Sequence, residues 1–118
     1  MMHAFSYEEI APVPRSEAEA HLRSGDPEVV AKTLIALGLH DEDRRWVQQQ
    51  CLRFLSHDTE VVVSAAILSL GHTARVNRSI DKEVVIPALR AVACDPRYAG
   101  RVQDALDDID IFVKGKEK

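Results

Sequence analysis

The sequence predicts an all-α protein built as a short stack of about three helix pairs. First, the chain repeats itself. Asp26-Pro27-Glu28-Val29-Val30 leads to Leu37-Gly38, and Asp58-Thr59-Glu60-Val61-Val62 leads, with one residue inserted, to Leu70-Gly71. A third block opens at Asp95-Pro96-Arg97 and runs to Leu106 without the Leu-Gly ending, as a water-facing terminal repeat does. Second, each block opens with a helix-start signal. Asp26, Asp58 and Asp95 are N-cap residues, whose carboxylates accept from free first-turn N–H groups. Pro27 and Pro96 follow where no helical N–H is needed. Third, apolar residues fall three or four apart throughout the blocks.

Taken in order, residues 1–15 form an N-terminal lead-in interrupted by Pro12 and Pro14, with Phe5, Tyr7 and Ile10 able to fold back over the first repeat. A short helix follows at about Glu17 to Arg23. Helix 27–39 carries Val30, Ala31, Leu34 and Leu37 on one face. Helix 42–56 is more polar, with Val47, Cys51, Phe54 and Leu55 inward and Glu42, Arg45, Gln49 and Arg53 outward. Helix 59–73 carries Val62, Ala66, Ser69 and Leu70 on one stripe and Val63, Ile67 and Leu70 on a second, and both 27–39 and 59–73 are apolar nearly all round, which marks helices sandwiched between others. Gly38 and Gly71 are placed to end the two repeat helices by a left-handed exit. The longest interior loop then runs from Thr73 to Ser79. Helix 81–94 turns Val84, Val85, Ala88, Leu89 and Val92 inward, with Asp81 as its cap; Pro87 should kink it or delay its start. Helix 96–112 closes the repeat domain, 16–112, and residues 113–118 form a basic tail. The pairs are therefore roughly 16–39, 42–73 and 81–112.

The segments LRSGDPEVVAKTLIALG (22–38), LRFLSHDTEVVVSAAILSLG (52–71) and, more weakly, LRAVACDPRYAGRVQDAL (89–106) resemble short bacterial HEAT-like repeats, the class also seen in phycobilin-lyase-type HEAT proteins. The resemblance implies a short right-handed α-solenoid with the aspartate-started helices on its concave side, where solenoids hold partners. One departure is that only the third block has an arginine two positions after its cap, Arg97, where the first two have Glu28 and Glu60. Small, acidic chains of this kind are similar to immunity proteins of toxin–immunity systems.

Composition narrows the function. A net charge of −4 disfavours a nucleic-acid binder, which needs surplus Lys and Arg against phosphates. The one basic cluster, Arg75, Arg78, Arg97 and Arg101, is countered by Asp81 and the aspartates at 104–110, and few aromatics are available to stack bases. Cys51 and Cys94 have no partner at a metal-ligand spacing and read as buried thiols. His40-Asp41 and His57-Asp58 look like a repeated metal pair, but they occupy different places in their repeats and read as loop histidines; His72 reads as meeting the negative end of its helix. No nucleophile elbow or phosphate loop is present. No metal, cofactor or catalytic residue is expected. Without a signal peptide or a membrane span, a cytoplasmic protein is expected.

What remains is binding. Arg97, Arg101, Asp104 and Asp108 share one stripe of the last helix, flanked by Asp107 and Asp110. Four acids near a helix C-terminus oppose the dipole, at several tenths of a kcal/mol each on its usual scale of about 0.3–1 kcal/mol, and so suggest a use. The stripe Glu28, Lys32, Ile35 and Leu39 of the first repeat and its counterpart Glu60, Ser64 and Ile67 or Leu68 of the second put apolar residues on the same concave side. An apolar centre with an acidic rim fits a basic protein partner. The sequence thus reads as a non-catalytic protein-binding module, and the resemblance implies an immunity protein that neutralises a cognate basic toxin, nucleases among the candidates. The alternatives are an adaptor subunit of a larger complex, or a HEAT-type lyase, hydroxylase or DNA glycosylase. Replacing Asp104, Asp107 and Asp108 by Asn should leave the urea-unfolding midpoint near wild type and weaken partner binding, whereas Leu34→Ala or Leu70→Ala should cost about 2–5 kcal/mol in the unfolding measurement.

Overall fold

The protein was analysed as a computed structural model, which describes residues 10–114. Its helices are α1 (Arg15–Leu22), α2 (Pro27–His40), α3 (Arg44–Phe54), α4 (Glu60–Asn77), α5 (Lys82–Val92) and α6 (Ala99–Phe112). They alternate between two layers. α4 packs between α2 and α6, while α1 lies on α2, α3 on α4 and α5 on α6.

The direction of the inner helices follows from which residues meet. Ser69 of α4 hydrogen-bonds Leu34 of α2. Gly71 faces Ala105 and Asp108 of α6, and further along Arg78 lies over the ring of Phe112. Residue numbers rise together across both interfaces, so α2, α4 and α6 run parallel. In the outer layer, α1, α3 and α5 begin at a common edge, where one device occurs twice. The first residue of one outer helix pairs with the N-cap aspartate of the next: Arg15 with Asp43 at 2.7 Å and Arg44 with Asp81 at 3.1 Å. Arg15 also covers the Trp46 ring at 3.8 Å. Buried Gln48 donates to the Asp81 carboxylate and accepts the Asp81 N–H, both at 2.9 Å, which satisfies both ends of its amide.

The predicted all-α class and the three pairs are present. The stack, however, is compact. Its radius of gyration is 13.4 Å and its extents are 39 × 31 × 26 Å, values of an ordinary globular domain of about this length rather than of an elongated solenoid. With only three pairs, the stack is hardly longer than it is wide. Leu34, Leu37, Ile67, Leu70, Leu89 and Ile109 are fully buried at its centre. Ile10 of the lead-in is buried, and its carbonyl accepts from His40 Nε2 at 2.7 Å. Phe5, Tyr7 and the basic tail beyond Lys114 lie outside the described residues.

Several local expectations change. Asp26 caps α2, accepting from the N–H groups of Glu28 and Val29. Asp58 does not cap α4; Thr59 holds that position, and the Asp58 carboxylate accepts the Thr59 hydroxyl. Asp95 closes a turn by accepting the Arg97 N–H, and α6 starts only at Ala99. α5 starts at Lys82 despite Pro87, which is exposed and leaves the Glu83 carbonyl without its helical N–H donor. Cys94 is exposed, whereas Cys51 is buried.

The larger change concerns Gly38 and Gly71. Neither ends its helix: α2 continues to His40, and α4 runs through the expected 73–79 loop to Asn77. α4 ends instead at Arg78, the one non-glycine residue with positive φ (58°) among those described. Both glycines mark where helices touch. A Cβ on Gly38 would stand 2.5 Å from Ser69 Oγ and 2.7 Å from the Ser69 carbonyl oxygen. A Cβ on Gly71 would meet the Asp108 carboxylate at 3.1 Å. Gly38→Ala therefore forces α2 and α4 apart and should lower stability by about 1–3 kcal/mol in urea unfolding. Gly71→Ala presses only on a movable carboxylate end, its nearest backbone atom, Ala105 Cα, lying at an ordinary 3.4 Å, and it gains helix propensity, so its change should stay within about 1 kcal/mol.

Candidate functional site

The outer face of the parallel layer is concave. Each inner helix buries one side against the outer layer and leaves a stripe on the other. From α2 this stripe supplies Glu28, Ala31, Lys32 and Ile35, and from α4 it supplies Val61, Ser64, Ala65 and Leu68. Arg101 of α6 completes a groove of about 450 Å³. Its floor is apolar, with Ile35 and Ala65 buried; Val61 remains 44% exposed, a large apolar side chain left facing water. Lys32 and Arg101 stand exposed on opposite rims, and Glu28 and Glu60 mark the end where these helices begin.

A second hollow of about 230 Å³ adjoins the groove and shares Leu68 and Arg101 with it. Gly71, Asp104, Ala105 and Asp108 form the rest of its lining. The missing side chain at Gly71 is what lets the Asp108 carboxylate reach this position. Burial holds the Asp108 carboxyl above the usual carboxylate range; Arg75, 3.5 Å away, opposes this, and Asp104 and Asp107 add to it. Lys32, Arg101 and Asp104 make no ion pair among the described residues.

The structure thus brings Lys32, Ile35, Ser64, Leu68, Arg101, Asp104 and Asp108 onto one face. It separates the other three residues of the predicted set. Asp107 and Asp110 turn toward α5, into a hollow with Lys82 and Arg90, and Asp107 accepts from Gln103 at 2.9 Å. Arg97 sits at the foot of α6, bound to Asp95 at 2.8 Å and near Glu60 at 3.7 Å. These carboxylates push its pKa further up, the Asp95 hydrogen bond most strongly. Sequence reasoning missed Val61, Gly71 and Ala105. Gly71 and Ala105, small residues on facing helices, are the available signal, and at Gly71 it is masked by the resemblance of Leu-Gly to a helix end.

The other candidate groups are occupied structurally. Arg75 donates to His72 Nδ1 at 2.6 Å, Arg78 covers Phe112, and Arg97 is paired, so the four arginines form no free cluster. His57 Nδ1 accepts the Thr59 N–H. Burial pushes the Cys51 thiol up to about 12. Among the described residues no group of three or more His, Cys, Asp or Glu is placed to hold a metal, and no helix is long and apolar enough to cross a membrane.

Neither the family models nor the curated proteins give a match to this chain. Among solved structures the chain is similar to one in the crystal structure of a CDI complex from Cupriavidus taiwanensis LMG 19424. The two share 26% identity with a TM-score of 0.83, over 94% of this chain and 100% of that one. The likeness therefore spans the whole six-helix unit and is to a member of a protein complex.

His72 lies inside α4, not at its end, and is 2% exposed. Burial, then the Arg75 charge, lowers its pKa from 6.5 to about 4. The unfolded chain binds a proton near pH 6.5, while the folded one resists until about pH 4. Stability is thus fully present above pH 6.5 and falls as pH drops through that window, by on the order of 3 kcal/mol. Urea midpoints measured from pH 7.5 to 4 should fall accordingly, and His72→Gln should flatten that dependence.

Proposed function

We propose that the chain is an immunity protein, which binds a cognate toxin through the α2–α4–α6 groove and holds it inactive. The observation that carries this is the whole-length likeness to a chain of a CDI complex. Complexes of contact-dependent inhibition pair a toxin with the protein that neutralises it. The groove supports the same reading: its floor is apolar, its rims are charged, and it lies on the face where HEAT-like stacks take partners. On this proposal the helices form a short right-handed HEAT-like stack acting in the cytoplasm. The partner is basic, in keeping with the chain's net charge of −4 and with Asp104 and Asp108 on the groove's α6 side.

The test begins with the protein purified gently from its native host and the co-purifying chain identified by mass spectrometry. The expected partner is a single basic protein in equal amount, whose production alone arrests growth and whose toxicity is relieved when this chain is made with it. Leu68→Arg, at a half-exposed groove position, should keep the helical circular-dichroism spectrum and lose the rescue. A chain that carries a metal or small molecule and no protein, or rescue unchanged in Leu68→Arg, would overturn the reading or its interface respectively.

A further inference from the structure

We infer that the groove accepts a segment of its protein partner in one direction only. An aliphatic side chain enters the larger compartment, against α2 and α4, and a neighbouring lysine or arginine enters the smaller one, against α6. This rests on the protein-binding reading above and specifies what the partner must present.

The larger compartment has an apolar floor in Ala31, Ile35, Ala65 and Leu68, which favours an aliphatic group by burial. Its two facing rims carry Lys32 and Arg101, neither of them neutralised by an ion pair among the described residues. Glu28 offsets one charge at the end of the compartment, but a cation entering the middle would still meet like charge from both sides. The smaller compartment has the opposite character. Leu68, Gly71 and Ala105 give it apolar walls suited to a methylene stem, since long basic side chains bury the stem and keep the charged head at a polar rim. At that rim stand Asp104, which has no cationic partner among the described residues, and Asp108, held only by the 3.5 Å contact to Arg75. Burial and crowding by Asp104 and Asp107 already disfavour the Asp108 carboxylate, and a cation seated beside it relieves that cost. Arg101 lines both compartments. It is the divider: with Lys32 it leaves the first compartment positive beyond what Glu28 offsets, whereas in the second its single charge faces two carboxylates, Asp104 and Asp108. Charge complementarity along the groove therefore sets the direction of the bound segment.

The test uses the full chain, labelled with ¹⁵N, and two small probes of one shape: n-butylguanidinium and neutral n-butylurea. With n-butylguanidinium, the amides of Gly71, Asp104, Ala105 and Asp108 should shift saturably, while those of Ala31, Ile35 and Ala65 stay in place. The neutral probe should not shift the first set. Asp104→Asn, at an exposed position, should weaken the charged probe by about tenfold, equivalent to 1.4 kcal/mol. Arg101→Gln should open the larger compartment, so that the Ile35 and Ala65 amides now move as well. Absence of a saturable shift, equal shifts from the two probes, or shifts unchanged in Asp104→Asn would overturn the inference. Because no partner protein is used, that failure leaves the immunity reading standing, and failure to find a toxin leaves the probe result intact.

Discussion

The structure depends on how closely α2 and α4 cross at Gly38 and Ser69. There the backbones approach until no Cβ fits, and Ser69 Oγ donates to the Leu34 carbonyl at 2.6 Å. A buried hydroxyl without a partner would cost free energy, so this bond both allows a polar residue at the crossing and ties it to one register. Thr73, one turn later, returns its hydroxyl to the Ser69 carbonyl and is satisfied in the same way. Gly71 then repeats the close approach on the α6 side of α4. α4 is thus clamped between two neighbours by two glycines, one contributed by α2 and one by α4 itself. Its nearly all-round burial follows from that position.

The site is a consequence of this clamp. Parallel helices held close present their unburied stripes side by side, so residues far apart in sequence become neighbours across a shallow groove. Gly71 has a double role, bringing α6 near and leaving the space that the Asp108 carboxylate occupies. On the opposite layer, the Arg15–Asp43 and Arg44–Asp81 pairs join successive helix starts. Hydrogen bonding, from Arg15 and Trp46 in one case and chiefly from Gln48 in the other, lowers both aspartate pKa values. Exposed pairs of this kind contribute little stability singly, and their effect is to align the outer helices. On the groove side Lys32, Arg101 and Asp104 make no ion pair among the described residues. An apolar floor ringed by charges is the anatomy that the proposed binding face calls for.

The amino-acid sequence by itself determined the helical class and the three pairs, because apolar periodicity and the Asp26-Pro27 start are local signals that need no partner to be read. It also placed Lys32, Ile35, Ser64 and Leu68 on one side, since a repeat carries its face with it. Only the tertiary structure decided what the glycines do. A glycine after a leucine near a helix end looks like a stop signal, and nothing local tells it from a contact point; Ser69 opposite Gly38 supplies the difference. Asp58 likewise looked like Asp26, yet Thr59 took the cap. The acids at 104–110 were legible as a stripe but not as two sets, because which side of α6 faces the groove depends on where α5 packs. Asp104 and Asp108 turn to the groove and Asp107 and Asp110 away from it, since a 100° step per residue divides neighbours between faces once the helix is docked.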